Sequence, residues 1–188
     1  MKLTIDFETR SLANLKTVGA WMYSVHPSTE VLMVGWDNGQ WVKGEDEPTQ
    51  LFKDVAAADV VEAHSSMFER YIWQNVCEAR MGWPMLDMSK LRCSAAKAAA
   101  CSLPRALSAA ANALGLEQIK DDQGHGKMLQ LSRPRKPTKN NPSKWNDDPD
   151  LWARVVEYNW DDILAEKSLS GALPDLDPRE QLVWAASE

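Results

Sequence analysis

Apolar and polar side chains alternate from the first residues of the chain, which predicts a β-strand with two different faces. Leu3, Ile5 and Phe7 share one face, and Asp6 and Glu8 share the other. Two adjacent carboxylates on a core strand are costly unless a cation neutralises them, and Mg²⁺ and Mn²⁺ prefer oxygen ligands. This strand therefore predicts a divalent metal site, with an edge strand that keeps one face in water as the alternative.

Downstream, the pattern predicts a mixed α/β order. Two apolar runs, 31–36 and 40–43, flank Asp37-Asn38-Gly39, a tight-hairpin signal, so the first three strands should be antiparallel neighbours. The other predicted elements are helices within 49–57, 66–81, 103–114 and 148–171, a buried strand near 60–63 and a short helix from about 177. The fourth of these helices should start with Asp148 as its N-cap and Pro149 in its first turn.

A polar segment from Lys120 to Asp148 separates the last two long helices. It contains Pro134, Pro137 and Pro142, which cannot continue a regular helix. We therefore expect an extended excursion over this whole segment.

The long helix from Asp148 carries an acid on an apolar stripe. Leu151, Val155, Tyr158 and Asp162 follow spacings of four, three and four, so they lie on one face. A carboxylate that points into a core needs a cation or a hydrogen-bonding network. In the alternative interpretation Asp161 and Asp162 are solvated, and the core face is the neighbouring stripe Trp152, Val156, Trp160 and Ile163.

Composition limits the class of protein. The 188 residues are 44% hydrophobic and 26% charged, which is typical of a single globular domain. No signal peptide pattern or membrane-spanning apolar run is visible, so we expect a cytoplasmic protein without membrane contact. Three cysteines without metal-ligand spacing predict buried free thiols. The net charge of −6 disfavours broad, nonspecific binding to polyanions.

Residues 62–69 form a junction between the predicted buried strand and the helix that follows. Ser66 and Glu69 have the spacing of a capping box, in which Glu69 would bond to the cap amide. In the other interpretation Glu69 is a further carboxylate of the metal site. His64 fits a hydrogen-bonded junction residue better than a metal ligand.

Three segments together resemble the DEDD 3′-to-5′ exonucleases. The first motif matches Asp6-Phe7-Glu8-Thr9, the second matches 63–69, and the third matches Tyr158 and Asp162. Glu157 stands where the histidine branch of that family has His, so the chain resembles the tyrosine branch. Ser65 and Glu69 depart from the usual Asn and Asp.

Further segments are similar to the proofreading domain of bacteriophage family A DNA polymerases. They are 23–36, 92–116, Lys136-Pro137-Thr138-Lys139 and Asp148-Pro149. This resemblance implies an α/β fold of the ribonuclease H-like type, with a mixed sheet of about five strands flanked by helices. It also implies an exonuclease domain over 1–174, with 175–188 starting the connection to an absent polymerase domain.

The resemblance also implies a reaction and a partner. The reaction is hydrolysis of the 3′-terminal phosphodiester of single-stranded DNA by two Mg²⁺ or Mn²⁺ ions. Asp6, Glu8 and Asp162 would be metal ligands, Glu69 would serve the second ion, and Tyr158 would orient the attacking water. Four further residues would contact nucleic acid: Thr9, His64, Ser65 and Phe68. Independently of the resemblance, the basic charge of the segment from Lys127 to Lys144 predicts contacts from Arg133, Arg135 and Lys136.

Three functions remain open on these residues. The first is a DNA proofreading exonuclease that acts with a polymerase domain or subunit. The second is a stand-alone exoribonuclease or oligonucleotide exonuclease, because a contact to the 2′-OH cannot be identified from the sequence. The third is an inactive nucleic-acid-binding module, which the retained carboxylates disfavour. Charged residues from Lys127 to Lys144 are all basic, so this run either lies along the substrate strand or is a solvated loop.

Overall fold

The computed structural model of the chain describes residues 1–117, 122–139 and 141–187. One mixed sheet of five strands forms its centre, in the order β3-β2-β1-β4-β5. The strands are β1 (Lys2–Arg10), β2 (Glu30–Trp36), β3 (Gly39–Val42), β4 (Val60–Ala63) and β5 (Leu91–Cys93). Strands β1, β2 and β3 pair antiparallel, whereas β4 is parallel to β1 and β5 is parallel to β4.

Helices flank this sheet. They are α1 (Leu15–Val25), α2 (Thr49–Ala57), α3 (Met67–Ile72), α4 (Ser94–Ala100), α5 (Leu107–Ala113), α6 (Asp122–Ser132), α7 (Pro149–Ala172) and α8 (Pro178–Ser187). Helix α3 continues as a π-helical segment, Trp73–Met81, and a 3₁₀ turn, Met88–Lys90, precedes β5. The predicted α/β fold with a mixed five-stranded sheet is confirmed, and it agrees with a ribonuclease H-like fold.

The central position of β1 determines the environment of its side chains. Leu3, Ile5 and Phe7 are all less than 5% exposed and belong to the main apolar core. In that core the ring of Trp73 lies edge-on to Phe7, with 6.0 Å between the ring centroids. The edge-strand alternative for β1 is therefore wrong, and the face with Asp6 and Glu8 is covered as well.

Helix α7 packs on this second face. Leu151 and Val155 of α7 join Leu32 and Met33 of β2 in a smaller apolar cluster. The start of the helix is as predicted, because the Asp148 side chain accepts hydrogen bonds from the backbone N–H groups of residues 150 and 151, at 2.9 and 3.2 Å. The predicted end at about Gly171 is one residue short of the observed one.

The predicted extended excursion is wrong for residues 122–132, which form α6. The reason is tertiary packing, because Leu131 is fully buried in the cluster with Leu32 and Val155. Gly124 and Gly126 lower the intrinsic helix propensity of this segment, and apolar burial overrides that preference. Lys120 and Asp121 lie outside the described residues. From Arg133 to Asp147 no strand or helix is described, so the prediction holds for that part.

Other differences are smaller. Helices α1 and α4 and strand β5 were not predicted, and α5 starts at Leu107 instead of residue 103. Gly115 follows α5 with a φ of 66°, as expected for a glycine that ends a helix. All three cysteines are free, but only Cys77 and Cys93 are buried, so the predicted burial is wrong for Cys101.

The segment after α7 contacts the sheet. Asp175 forms an ion pair of 2.8 Å with the buried Lys97 of α4, and Trp184 of α8 packs against the main core. The short helix predicted from about 177 is confirmed as α8, while the division into 1–174 and 175–188 stays a prediction. Within the described ranges, no helix has the length and apolar character needed to cross a membrane.

Candidate active site

Three carboxylates from two distant parts of the chain converge on the covered face of the sheet. Asp6 and Glu8 lie on β1 and Asp162 lies on α7, and one oxygen from each is within 4.8 Å of the others. Glu8 and Asp162 are buried, and Asp6 is half-buried. The alternative of a solvated Asp162 is therefore wrong. An all-oxygen donor set of this kind fits Mg²⁺ or Mn²⁺.

Tyr158 lies one helical turn before Asp162 and is fully buried. Burial is the largest cause that raises the pKa of its phenol far above the usual value, and the charges of Asp162 and Glu8 raise it further. The phenol therefore keeps its proton at neutral pH. Next to three carboxylates, the protonated phenol offers one O–H donor.

Glu69 on α3 is a fourth acid close to this group. It is 3% exposed, and its Oε2 has no hydrogen-bond partner among the described residues. Burial raises the pKa of Glu69 well above its usual value, and the charge of Asp6 adds to this effect. A buried carboxylate oxygen without a donor is costly, so this atom also fits a cation.

The capping-box alternative for Glu69 is not formed. Ser66 has helical backbone angles, with φ −53° and ψ −9°, and its side chain makes no cap hydrogen bond. An N-cap residue normally has an extended backbone, which lets its side chain reach the first free N–H groups. Glu69 therefore does not cap α3. It lies close enough to Asp6 for the charge of that residue to raise its pKa.

The turn between β4 and α3 is held by hydrogen bonds to other parts of the fold. Ser65 has a positive φ of 62°, which is unusual for a residue other than glycine. The preceding N–H, that of His64, donates to Oε2 of Glu166 on α7 at 3.1 Å. The ring of His64 contacts Ser94 Oγ at 2.9 Å and the Arg105 carbonyl at 2.7 Å. These contacts match the interpretation of His64 as a junction residue.

Glu166 was missed by sequence reasoning. It is 3% exposed and lies four residues after Asp162, on the same face of α7. That spacing was the available signal, since it extends the stripe of Tyr158 and Asp162 by one turn. Through the His64 N–H, Glu166 ties the turn before Glu69 to the helix that carries Asp162.

The remaining candidate residues near the turn differ in exposure. Thr9 is buried, and its Oγ1 lies 2.9 Å from the hydroxyl of Tyr23, whose pKa burial raises to about 12. Phe68 is half-buried, with its ring centroid 5.9 Å from that of Tyr23, and Ser65 is exposed. Ser65 and Phe68 therefore offer surface for a ligand, whereas the Thr9 hydroxyl contacts the protein itself.

The part of the basic run that follows α6, from Arg133 to Lys144, is called the basic segment here. It is anchored beside the end of β1. The Arg10 guanidinium lies 4.8 Å from the ring centroid of Trp145 and pairs with Asp147 at 2.5 Å. Arg135 donates to the carbonyl oxygens of Trp145, at 3.2 Å, and Asn141, at 3.1 Å. Arg135 thus shapes the loop, because its guanidinium is bound to backbone oxygens.

Two basic side chains of this segment differ from Arg135. Arg133 and Lys136 are exposed on the same loop. They can reach a polyanion without breaking the loop, which Arg135 cannot do. The three predicted nucleic-acid contacts in this segment therefore divide into two surface cations and one that supports the loop.

Comparison with known proteins gives one similarity that spans the chain. The DNA polymerase of Bacillus phage SP02 is 28% identical over 200 aligned positions, which cover 99% of this chain. The chain spans about 30% of the length of that polymerase. No family model matches the chain, and no solved structure matches it. The similarity indicates a polymerase-related domain.

The buried acid Glu69 leads to a prediction on stability. An acid whose pKa is raised in the folded state loses its proton more readily when unfolded, so stability falls as pH rises above the usual glutamate pKa of about 4.3. Glu69→Gln cannot ionise. With EDTA present, its melting temperature should exceed that of the unsubstituted chain at pH 7.5, and the difference should shrink at pH 4.

A matched control is Glu157→Gln, which changes an exposed glutamate on α7. It should show no such pH-dependent gain. Equal melting temperatures of Glu69→Gln and the unsubstituted chain at pH 7.5 would contradict the raised pKa.

Proposed function

We propose that this protein is a metal-dependent 3′-to-5′ exonuclease that removes nucleotides from the 3′ end of single-stranded DNA. The observation that carries the proposal is the convergence of Asp6, Glu8 and Asp162 within 4.8 Å, on elements more than 150 residues apart. DNA is favoured over RNA as the substrate because the similar phage protein is a DNA polymerase.

The carboxylates would have different roles toward the metal ions. Asp6, Glu8 and Asp162 would hold divalent ions, Mg²⁺ or Mn²⁺, and Glu69 would add a ligand on the side of Asp6. When bound, two such ions lower the pKa of a water molecule and stabilise the charge on the leaving 3′ oxygen. The packing of α7 on β1 brings Asp6, Glu8 and Asp162 together in spite of the repulsion between their charges.

Tyr158 has a positioning role toward the attacking water. Because its pKa is raised, the phenol is a donor at neutral pH, and a donor beside three carboxylates can orient a water molecule. The exposed Ser65 lies on the turn before α3, and the half-buried Phe68 lies in α3 next to Glu69. In this proposal both side chains contact the terminal nucleotide.

Proofreading also requires a polymerase. We propose that this exonuclease acts with a polymerase domain or subunit, since the chain matches 30% of the length of a phage DNA polymerase. The segment 175–187, which includes α8, would lie toward that partner. Such an enzyme would work in the cytosol of a bacterium or of a phage-infected cell.

The first test is cleavage of 5′-labelled single strands of DNA and RNA with Mg²⁺ or Mn²⁺. Asp162→Asn should reduce cleavage below detection, because it removes a charged metal ligand, and EDTA should have the same effect on the unsubstituted chain. The matched control, Asp161→Asn, changes the neighbouring acid and should retain activity. Cleavage that survives EDTA would contradict the metal mechanism. Faster cleavage of RNA than of DNA would favour the exoribonuclease alternative.

Tyr158→Phe tests the orientation of water. The substitution removes one hydroxyl from a buried ring, so the rate at saturating substrate should fall by about 10²- to 10⁴-fold while DNA affinity changes little. Single-turnover kinetics and equilibrium binding to labelled DNA measure the two quantities. Tyr71→Phe is the control, and it should behave like the unsubstituted chain. A normal rate for Tyr158→Phe would refute the role of the hydroxyl.

The basic segment is tested by the salt dependence of binding. Each phosphate neutralised on a single strand contributes about −0.7 to the slope of log affinity against log salt. Arg133→Ala combined with Lys136→Ala should therefore flatten the slope by about 1.4 for every DNA sequence. Lys53→Ala combined with Arg179→Ala removes the same charges elsewhere and should leave the slope unchanged. If both double variants bind alike, the segment is not a DNA contact.

A further inference from the structure

A row of three residues crosses the sheet at the site. Asp6 of β1 pairs with Gly35 of β2, and Gly35 pairs with Gln40 of β3. Side chains in such a row point to the same face, with neighbouring strands about 4.8 Å apart. Because the middle residue is glycine, the row has a notch between Asp6 and Gln40.

The side chain of Asn159 fills this notch from α7. Asn159 is fully buried, and its Nδ2 donates to Asp6 Oδ2 at 2.7 Å and to the Asp6 carbonyl at 3.2 Å. A Cβ atom on Gly35 would lie only 2.5 Å from Asn159 Oδ1. Only glycine at this position leaves room for the amide.

Gln40 determines which way the Asn159 amide points. Its Nε2 donates to Asn159 Oδ1 at 3.0 Å and to the Val156 carbonyl at 2.8 Å. The amide oxygen of Asn159 therefore faces Gln40, and the amide nitrogen faces Asp6. A reversed amide would place a nitrogen against the Gln40 donor and an oxygen against the two Asp6 acceptors, which removes all three hydrogen bonds.

We propose that Asn159, oriented by Gln40 and accommodated by Gly35, is a positioning residue for the metal ligand Asp6. The hydrogen bond to Asp6 Oδ2 fixes the rotation of the carboxylate, and the one to the Asp6 carbonyl holds the Asn159 amide against β1. The inference rests on the proposed function, because it assigns a metal to Asp6. Hydrogen-bond partners of metal ligands typically change metal affinity or activity by 10- to 100-fold when removed.

The test is titration with Mn²⁺, followed by calorimetry or by the electron paramagnetic resonance of the free ion. Asn159→Ala should weaken binding by about 10- to 100-fold. The cleavage deficit should be large at limiting Mn²⁺ and should shrink as Mn²⁺ rises, which a general loss of stability would not produce. The matched control is Asn75→Ala, which removes another internal amide, bonded to Ser24 at 2.8 Å, and should leave Mn²⁺ affinity unchanged.

Gln40→Ala is a second variant in case Asn159→Ala does not fold. It retains the Asn159 amide but removes the donor that orients it, so Mn²⁺ affinity should fall, and by less than in Asn159→Ala. Unchanged Mn²⁺ affinity in a folded Asn159→Ala, or in Gln40→Ala where only that variant folds, overturns this inference alone. Failure of the unsubstituted chain to bind Mn²⁺ overturns the proposed function and, with it, this inference.

Discussion

The packing of helix α7 across the central strand β1 is the constraint on which the site depends. It places Asp162 beside Asp6 and Glu8, and it brings Tyr158, Asn159 and Glu166 into the same buried layer. Each of these polar groups would be costly alone in a core. The arrangement is tolerated because apolar contacts around it, such as Val155 with Met33, hold helix and strand together.

The acids of the site work against the stability of the fold, and the other face of the sheet offsets them. Glu69 and Tyr158 both have raised pKa values because burial disfavours their charged forms. On the opposite face, Trp73 and Trp83 lie edge-on at 5.7 Å within the main core. A strongly apolar face beneath β1 lets the same strand carry two carboxylates above it, and acids with perturbed pKa values are common at functional sites.

The surface around the site is organised by a small number of internal contacts. Arg10, at the end of β1, anchors Trp145 and Asp147 and so ties the basic loop to the strand that carries Asp6. Arg135 serves the loop itself. The exposed Arg133 and Lys136 therefore lie on a loop that is held to this strand, in a protein with a net charge of −6.

Local features, which depend on residues close together in the chain, could be predicted from the amino-acid sequence alone. Alternation placed Asp6 and Glu8 on one face of a strand, Asn38-Gly39 predicted the hairpin, and Asp148 with Pro149 marked the start of α7. Tertiary structure decided the rest. Helix α6 forms despite its glycines because Leu131 finds a core, and Glu69 faces Asp6 and makes no cap bond with Ser66. The notch at Gly35 exists only once the register of three strands and the approach of α7 are set, because that geometry joins residues far apart in the chain.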